Sequence, residues 1–172
     1  KRVVDPRTRA PGLELFDGDR STFNIAHECI DRHVDGDRAA VILAHADGRD
    51  EILSFAEIAR ASAQFAHYLA AQGVVAGDRV AVMLEPSRAF YVAMFGTMKM
   101  GAIAVPLFTL FGPDGIRLRV QDCTPKLLLV NPEKAPLAAG IAGTRVVVAD
   151  APFTEALAGY PTTFDATTRG DD

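Results

Sequence analysis

Three turns carry the polar residues of this sequence that are best placed to bind a ligand. Each follows a predicted apolar strand, and in chain order they are Glu85–Ser87, Thr109–Asp114 and Asn131–Lys134. An open α/β sheet binds ligands at the carboxyl ends of its strands, so phosphate-binding chemistry would be expected here. None of the turns has the GxGxxG pattern of a dinucleotide site or the GxxxxGK[ST] pattern of a phosphate loop. The sequence therefore predicts no dinucleotide or P-loop site.

Catalytic and metal-binding patterns are equally sparse. The four histidines, at positions 27, 33, 45 and 67, show no metal-ligand spacing, and no GxSxG sequence marks a nucleophilic serine. Cys29 and Cys123 lie far apart on predicted helices without a CxxC pair, which is typical of reduced thiols in a cytoplasmic protein. A catalytic thiol is the minor alternative. We predict no catalytic residue and no metal ligand.

Composition excludes several classes of function. The 172 residues suit one domain, and their formal net charge of −4 gives no basic surface for nucleic acid. No apolar run approaches the roughly 20 residues that span a bilayer, and the first twelve residues lack the apolar core of a signal peptide. We therefore expect a cytoplasmic protein with no nucleic-acid partner and no membrane span.

The elements that must position these turns follow from hydrophobic periodicity. Apolar residues at helical spacing predict a helix over Thr22–Val34, capped by Asn24 or Ser21. A hairpin is predicted next, with an Asp-Gly step between two short apolar runs. Ser54 and Glu57 fit a capping box that starts the following helix, which ends at Gly73.

From position 79 onward the pattern alternates strand and helix. Continuous runs of Val, Ile and Leu predict strands that are covered on both faces, over 79–84, 102–108, 126–130 and 144–148. Pro86 is predicted in the first turn of the helix that ends near Met100, and Gly96 is predicted to allow close approach of a neighbour. The fold class predicted is α/β, with a doubly wound, mostly parallel sheet flanked by helices and preceded by a helix and a hairpin.

Three segments are distinguished along the chain. Residues 1–20 are rich in Pro, Gly, Arg and Asp and are predicted to be an extended arm. Residues 21–150 form the predicted α/β subdomain. Residues 151–172 are predicted to contain a short helix at most and then a polar tail.

Several motifs, taken in their order and spacing, resemble the amino-terminal subdomain of the adenylate-forming superfamily. The similarity covers roughly residues 21–172 and is nearest to acyl-CoA synthetases of the acetate, medium-chain and benzoate type. The motifs are Leu53–Ile58 (LSFAEI), Gly77–Val82 (GDRVAV), Lys99–Leu107 (KMGAIAVPL), Phe111–Asp114 (FGPD), Arg119 and Asp122.

The resemblance implies that the parent enzyme joins a carboxylic acid to ATP, releases pyrophosphate and passes the acyl group to CoA. It implies ATP, Mg²⁺ and CoA as cofactors of the parent, but none for this chain alone. Thr168–Asp172 resembles the segment that precedes the family's phosphate loop, so the residues of adenylate chemistry are expected beyond it. The 172-residue chain alone is therefore expected to be inactive, with the remainder of its parent enzyme as its partner.

The same resemblance suggests where CoA would contact this chain. The loops after two of the strands approach CoA in acetyl-CoA synthetases, and the matching positions are Thr109, Leu110, Gly112 and, more loosely, Lys134. Thr109 and Leu110 replace a glycine pair of those enzymes. An ordinary loop of an α/β layer is the competing interpretation.

Two other functions stay open at this point. One is a non-enzymatic, flavodoxin-like module that binds a nucleotide or an acyl group. The other is an interaction domain whose exposed apolar face meets another domain. The acyl substrate of a parent synthetase cannot be read from these residues.

Overall fold

The computed structural model describes residues 16–18 and 23–166. The predicted arm over 1–20 therefore lies largely outside the described residues, and so do Ser21 and the segment Thr168–Asp172. The α/β class predicted from the sequence is confirmed, with a four-stranded parallel sheet covered by helices on both faces.

The described elements alternate in the predicted order. Six helices are α1 (Ile25–Cys29), α2 (Phe55–Ala71), α3 (Arg88–Lys99), α4 (Pro113–Cys123), α5 (Ala135–Ala138) and α6 (Ala151–Ala158). Six strands are β1 (Ala39–Ala44), β2 (Asp50–Ser54), β3 (Arg79–Met83), β4 (Ile103–Pro106), β5 (Leu127–Val130) and β6 (Arg145–Val148).

The first helix is shorter than the periodicity predicts. The Asn24 side chain accepts hydrogen bonds from the backbone N–H groups of Ala26 and His27, so α1 begins at residue 25 and not at 22. The backbone leaves helical geometry at Ile30, which is buried, and one 3₁₀ turn over Asp31–His33 follows. The predicted cap Asn24 is confirmed, whereas a continuous helix over 22–34 is wrong.

Capping also fixes the starts of the two longest helices. The Ser54 hydroxyl accepts from the Glu57 N–H while the Glu57 carboxylate accepts from the Ser54 N–H, which confirms the predicted capping box of α2. Ser87 caps α3, since its hydroxyl accepts from the Phe90 N–H. Pro86 therefore precedes the cap, and its predicted place in the first turn is wrong.

The main sheet has the order β4-β3-β5-β6, and all three neighbouring pairs are parallel. Alternate residues of β3 and β5 point to opposite faces, because side chains alternate along a strand. One face packs against α2, α3 and α6, and the other against α4 and α5. The antiparallel hairpin β1–β2 forms a separate small core with Ile30 and Ile58.

The contact between α2 and α3 depends on Gly96. A Cβ atom at this position would lie 2.7 Å from the Ser62 carbonyl oxygen and 2.9 Å from Phe65 Cδ1. Both distances are too short for carbon, so the two helices pack closer than any larger residue allows. The predicted close approach at Gly96 is confirmed.

Candidate functional site at the carboxyl edge of the sheet

The loops that follow the four parallel strands lie together at one edge of the sheet. The connection after β3 leads to β4 on one side, whereas β5 lies on the other side of β3. A ligand crevice in an open α/β sheet forms where the connections diverge in this way, outside the carboxyl ends of the strands. This edge therefore holds the candidate site.

A side-chain hydrogen bond joins the loops after β3 and β4. The Thr109 hydroxyl donates to the Glu85 carboxylate. Thr109 is only 4% exposed, whereas Glu85 is exposed to solvent. The bond fixes the turn after β4 against the end of β3, and it leaves a carboxylate at the mouth of the crevice.

The rest of the turn after β4 presents apolar side chains and open backbone. Leu110 is 75% exposed and Phe108 is 61% exposed, although both are large apolar residues. Gly112 occupies the N-cap of α4 with extended backbone, and no atom would contact a Cβ atom built on it. The Arg119 guanidinium lies 3.6 Å from the centre of the Phe111 ring, in cation–π contact, so this cation supports the turn.

Lys134 lies in a different loop from the other three predicted residues. It follows β5, where the Asn131 side chain accepts a hydrogen bond from the Lys134 N–H and shapes the turn. Because β3 separates β4 from β5, the two loops are two strand spacings apart, about 10 Å. The structure thus brings Thr109, Leu110 and Gly112 into one turn and leaves Lys134 across the crevice.

Sequence reasoning missed a buried ion pair at the end of α3, away from the crevice. Lys99 is 2% exposed, and its Nζ atom donates to Asp31 Oδ1 at 2.7 Å and to the Ala59 carbonyl at 3.1 Å. These two bonds join α3 to the 3₁₀ turn and to α2. The one available signal was a lysine inside an otherwise apolar helix, since a buried charge is retained only when it is paired.

A second missed group is the buried carboxylate of Glu28. It accepts hydrogen bonds from the backbone N–H groups of Asp17 and Gly18 and from Arg32 Nη1. Burial by itself would raise the pKa of Glu28, but these three hydrogen bonds outweigh it and lower the pKa. Glu28 thus holds the segment 16–18 against α1, which is a structural role.

The thiols and histidines do not form a catalytic group in the described part of the chain. Cys29 is exposed, and both cysteines are free, with the pKa of Cys123 raised mainly by burial. His27 pairs with Asp17 at 3.3 Å, and His67 contacts the Thr163 carbonyl at 2.7 Å. Among residues 16–18 and 23–166, no cluster of His, Cys, Asp and Glu could hold a metal ion.

No helix within those same ranges is long and apolar enough to cross a bilayer.

Comparison with known proteins identifies a matching family model. A model described as "AMP-binding enzyme" matches residues 30–168. Among curated relatives, the acetyl-coenzyme A synthetase of Halorhodospira halophila is 30% identical over 152 residues, and that of Novosphingobium aromaticivorans is 34% identical over 155 residues. Both matches cover 87% of this chain, which spans 22% of the length of each relative.

Solved structures show the same similarity. An acyl-CoA synthetase from Brucella canis matches with a TM-score of 0.83 and 28% identity, over 91% of this chain and 31% of its own. ATP-bound MatB from Rhodopseudomonas palustris matches with a TM-score of 0.71 and 27% identity, over 85% of this chain and 29% of its own.

Proposed function

The chain belongs to the AMP-binding enzyme family, and from this we propose that it supplies the amino-terminal α/β layer of an AMP-forming acyl-CoA synthetase. The family match over 30–168 is the observation that carries the proposal, and it agrees with the resemblance seen in the sequence motifs. The relatives are several times longer than this chain, so we propose that the remaining part of such an enzyme is its partner.

The reaction proposed for the whole enzyme has two steps. A carboxylate oxygen attacks the α-phosphorus of ATP, so an acyl-adenylate forms and pyrophosphate leaves. The thiol of CoA then loses its proton to solvent, its sulfur attacks the acyl carbonyl carbon, and AMP leaves with the electrons of the broken C–O bond. ATP, Mg²⁺ and CoA belong to this enzyme, and the acyl group is left open.

The described residues do not fit ATP, so the adenylation step is not assigned to them. The turns after β3, β4 and β5 contain no glycine-rich phosphate-binding sequence, and Glu85 lies between the turn after β4 and Lys134 across the crevice. Adenylation requires stabilisation of phosphate charge, which the exposed Glu85 carboxylate opposes. We propose that the 172-residue chain alone catalyses no adenylation.

CoA is the ligand that this edge fits best. Leu110 and Phe108 offer exposed apolar area, while no side chain caps α4 at Gly112, so the N–H groups that follow Pro113, those of Asp114 and Gly115, are the donors that could meet an anion. Lys134 lies across the crevice and would face the opposite side of the ligand. Because the Thr109 hydroxyl is bonded to Glu85, contact at Thr109 would use its backbone.

A hybrid enzyme tests the proposed function. Residues 30–166 would replace the matching segment of the Halorhodospira halophila relative, and carboxylate-dependent exchange between ATP and labelled pyrophosphate would be measured. We expect exchange by the hybrid and none by the 172-residue chain alone. A folded hybrid without exchange, or exchange by the isolated chain, would contradict the proposal.

CoA binding is tested separately by thermal shift of the 172-residue chain, because a ligand that binds only the folded state raises its melting temperature. Leu110→Asp is expected to abolish the shift produced by CoA. Leu118→Asp is the matched control, since Leu118 is also exposed but lies on α4, away from the crevice. Equal loss in both variants, or no CoA shift in the unmodified chain, would argue against these contacts.

A flavodoxin-like binding module is the second candidate function. The strand order β4-β3-β5-β6 is the order of that fold, whose ligand crevice would lie here between β3 and β5. The two candidate functions predict different responses to ATP with Mg²⁺. ATP should raise the melting temperature of this chain if it is a nucleotide-binding module, and should leave it unchanged if it is the amino-terminal layer of a synthetase.

The two free thiols fit the reducing cytoplasm, where we place the protein.

A further inference from the structure

A cavity of about 410 Å³ lies between α2, α3 and α6, above β5. Its walls are apolar: Phe65 from α2, Val92 from α3, Leu129 from β5, and Phe153 and Leu157 from α6. The Phe65 and Phe153 rings stand edge to face, with their centres 6.3 Å apart. The volume falls within the range of pockets that bind small molecules.

Small side chains leave this space open. Ala61, Ala89 and Ala158 line the cavity at positions on α2, α3 and α6 where longer residues would fill it. Consistent with this, α6 has no fully buried residue and is held at its carboxyl end by Gln64, whose amide donates to the carbonyls of Ala158 and Tyr160. α6 also contacts the core through Phe153 and Leu157, so it forms the roof of the cavity.

The charged residues that line the cavity are Glu51 and Arg88, while its other polar side chains include Gln64 and Thr154, both bonded to backbone carbonyls. Arg88 donates to Glu51 at 3.2 Å and to Glu57 at 3.0 Å, so its single positive charge is matched by two carboxylates. The Ser87 oxygen accepts from the Phe90 N–H, while its own proton has no acceptor among the described residues. An incoming molecule would therefore meet one available hydroxyl donor and no spare positive charge.

We propose that this cavity is a binding site for an uncharged, flat, apolar molecule that carries one hydrogen-bond acceptor at its end. The aromatic and aliphatic walls favour the apolar body, and the Ser87 hydroxyl would donate to the acceptor. An anion is disfavoured because Arg88, the one cation in the lining, is already bonded to Glu51 in the lining and to Glu57 beside it. The site shares no residue with the crevice of Thr109 to Gly112, so it stands independently of the proposed function.

The neutral naphthalene dye prodan has these properties and serves as the probe. Its emission shifts to the blue in an apolar site, so titration of the 172-residue chain reports binding directly. We expect a saturable blue shift, and nuclear Overhauser effects from the dye to the methyl groups of Leu129 and Leu157. A saturable site whose Overhauser effects fall on other residues, or no saturable binding, would overturn the proposal.

Filling the cavity should prevent binding. Ala61→Leu and Ala89→Leu each place a larger side chain in the space, and each is expected to weaken prodan binding by about tenfold or more. Ala70→Leu is the matched control, since Ala70 is exposed on the same helix as Ala61. Unchanged affinity in the folded filled variants would refute the site, and the Overhauser measurement stands if both fail to fold.

Two substitutions at Ser87 distinguish its role as a hydrogen-bond donor to the ligand from its role as the N-cap of α3. Asn and Asp both cap helices well, but only Asn keeps a donor. Ser87→Asn is expected to retain prodan binding, while Ser87→Asp loses it by several-fold. The anionic dye 8-anilinonaphthalene-1-sulfonate is expected to bind at least about tenfold more weakly than prodan. Equal affinity of the two dyes for the cavity would contradict the proposed ligand class.

Discussion

Replacing Gly96 with alanine should destabilise the fold, although alanine is the better helix former. The added Cβ atom would lie 2.7 Å from the Ser62 carbonyl oxygen and 2.9 Å from Phe65 Cδ1. Overpacking of this kind costs about 1–3 kcal/mol, while the change from glycine to alanine in a helix interior gains about 1 kcal/mol. Because the nearest atom is backbone and cannot rotate away, we expect a net loss of about 1–2 kcal/mol.

Urea denaturation followed by circular dichroism measures the change in the free energy of unfolding, and a thermal melt followed in the same way measures the melting temperature. At about 2–4 °C per kcal/mol for a domain of this size, the melting temperature of Gly96→Ala should fall by roughly 2–8 °C. Gly115→Ala is the matched control: it is also helical, but its Cβ atom would lie 3.4 Å from Phe111 Cβ. We expect the control to be neutral or slightly stabilised. Gly96→Ala with the stability of the unmodified chain would refute the close approach of α2 and α3.

Three further perturbations address the buried charge, the acid range and the thiols. Asp31→Ala should lower the free energy of unfolding by about 3–5 kcal/mol, because Lys99 is left buried without its counter-ion. In urea denaturation, the double variant Asp31→Ala with Lys99→Met should recover part of this loss, and additive losses would contradict the ion pair. Hydrogen bonds from the Ser54 backbone and hydroxyl, and then from the Arg88 guanidinium, lower the pKa of Glu57 from 4.5 to about 2. The ionised carboxylate therefore contributes its full stabilisation above about pH 4.5, and this contribution is lost as the pH falls toward 2. The difference in the free energy of unfolding between the unmodified chain and Glu57→Gln should therefore narrow by about 1 kcal/mol between about pH 5 and pH 3. This value is smaller than the pKa shift alone implies, because the carboxyl is about a third exposed and solvent screens its charge. A difference that stays constant over this range would refute the lowered pKa. Cys29 is exposed, so it should react with 5,5′-dithiobis(2-nitrobenzoic acid) several-fold faster than Cys123, whose pKa is raised by burial. Cys29→Ser should remove the fast phase of the reaction, and a single fast phase that accounts for both thiols would contradict this prediction.

Local features of the fold were predictable because their determinants lie within a few residues of each other. The capping box of α2 needs only Ser54 and Glu57, three positions apart, and both of its hydrogen bonds are present. The buried strands β3 and β5 were evident because their residues are apolar on both faces. The turn after β4 was likewise located by its sequence.

Features that depend on distant residues could not be read in this way. Lys99 meets Asp31 across 68 positions, and Thr109 meets Glu85 across 24 positions, so neither partner follows from periodicity. The order of the strands is also a tertiary property, since the alternation predicts a parallel layer without saying which strand lies beside which. The end of α1 was missed because the backbone leaves helical geometry at Ile30, a position that no glycine or proline marks in the sequence.

The position of β3 at the centre of the sheet has a consequence for the order in which the chain can fold. The hairpin β1–β2 pairs residues joined by one short turn, so it can form within microseconds. β3 instead pairs with β5, and the two strands end at Met83 and Val130, 47 residues apart. At a synthesis rate of about 5–20 residues per second, that edge of β3 has no partner for roughly 2–10 seconds on the ribosome. A nascent chain paused between these strands would expose the edge of an almost wholly apolar strand, and such edges are sites at which chains aggregate.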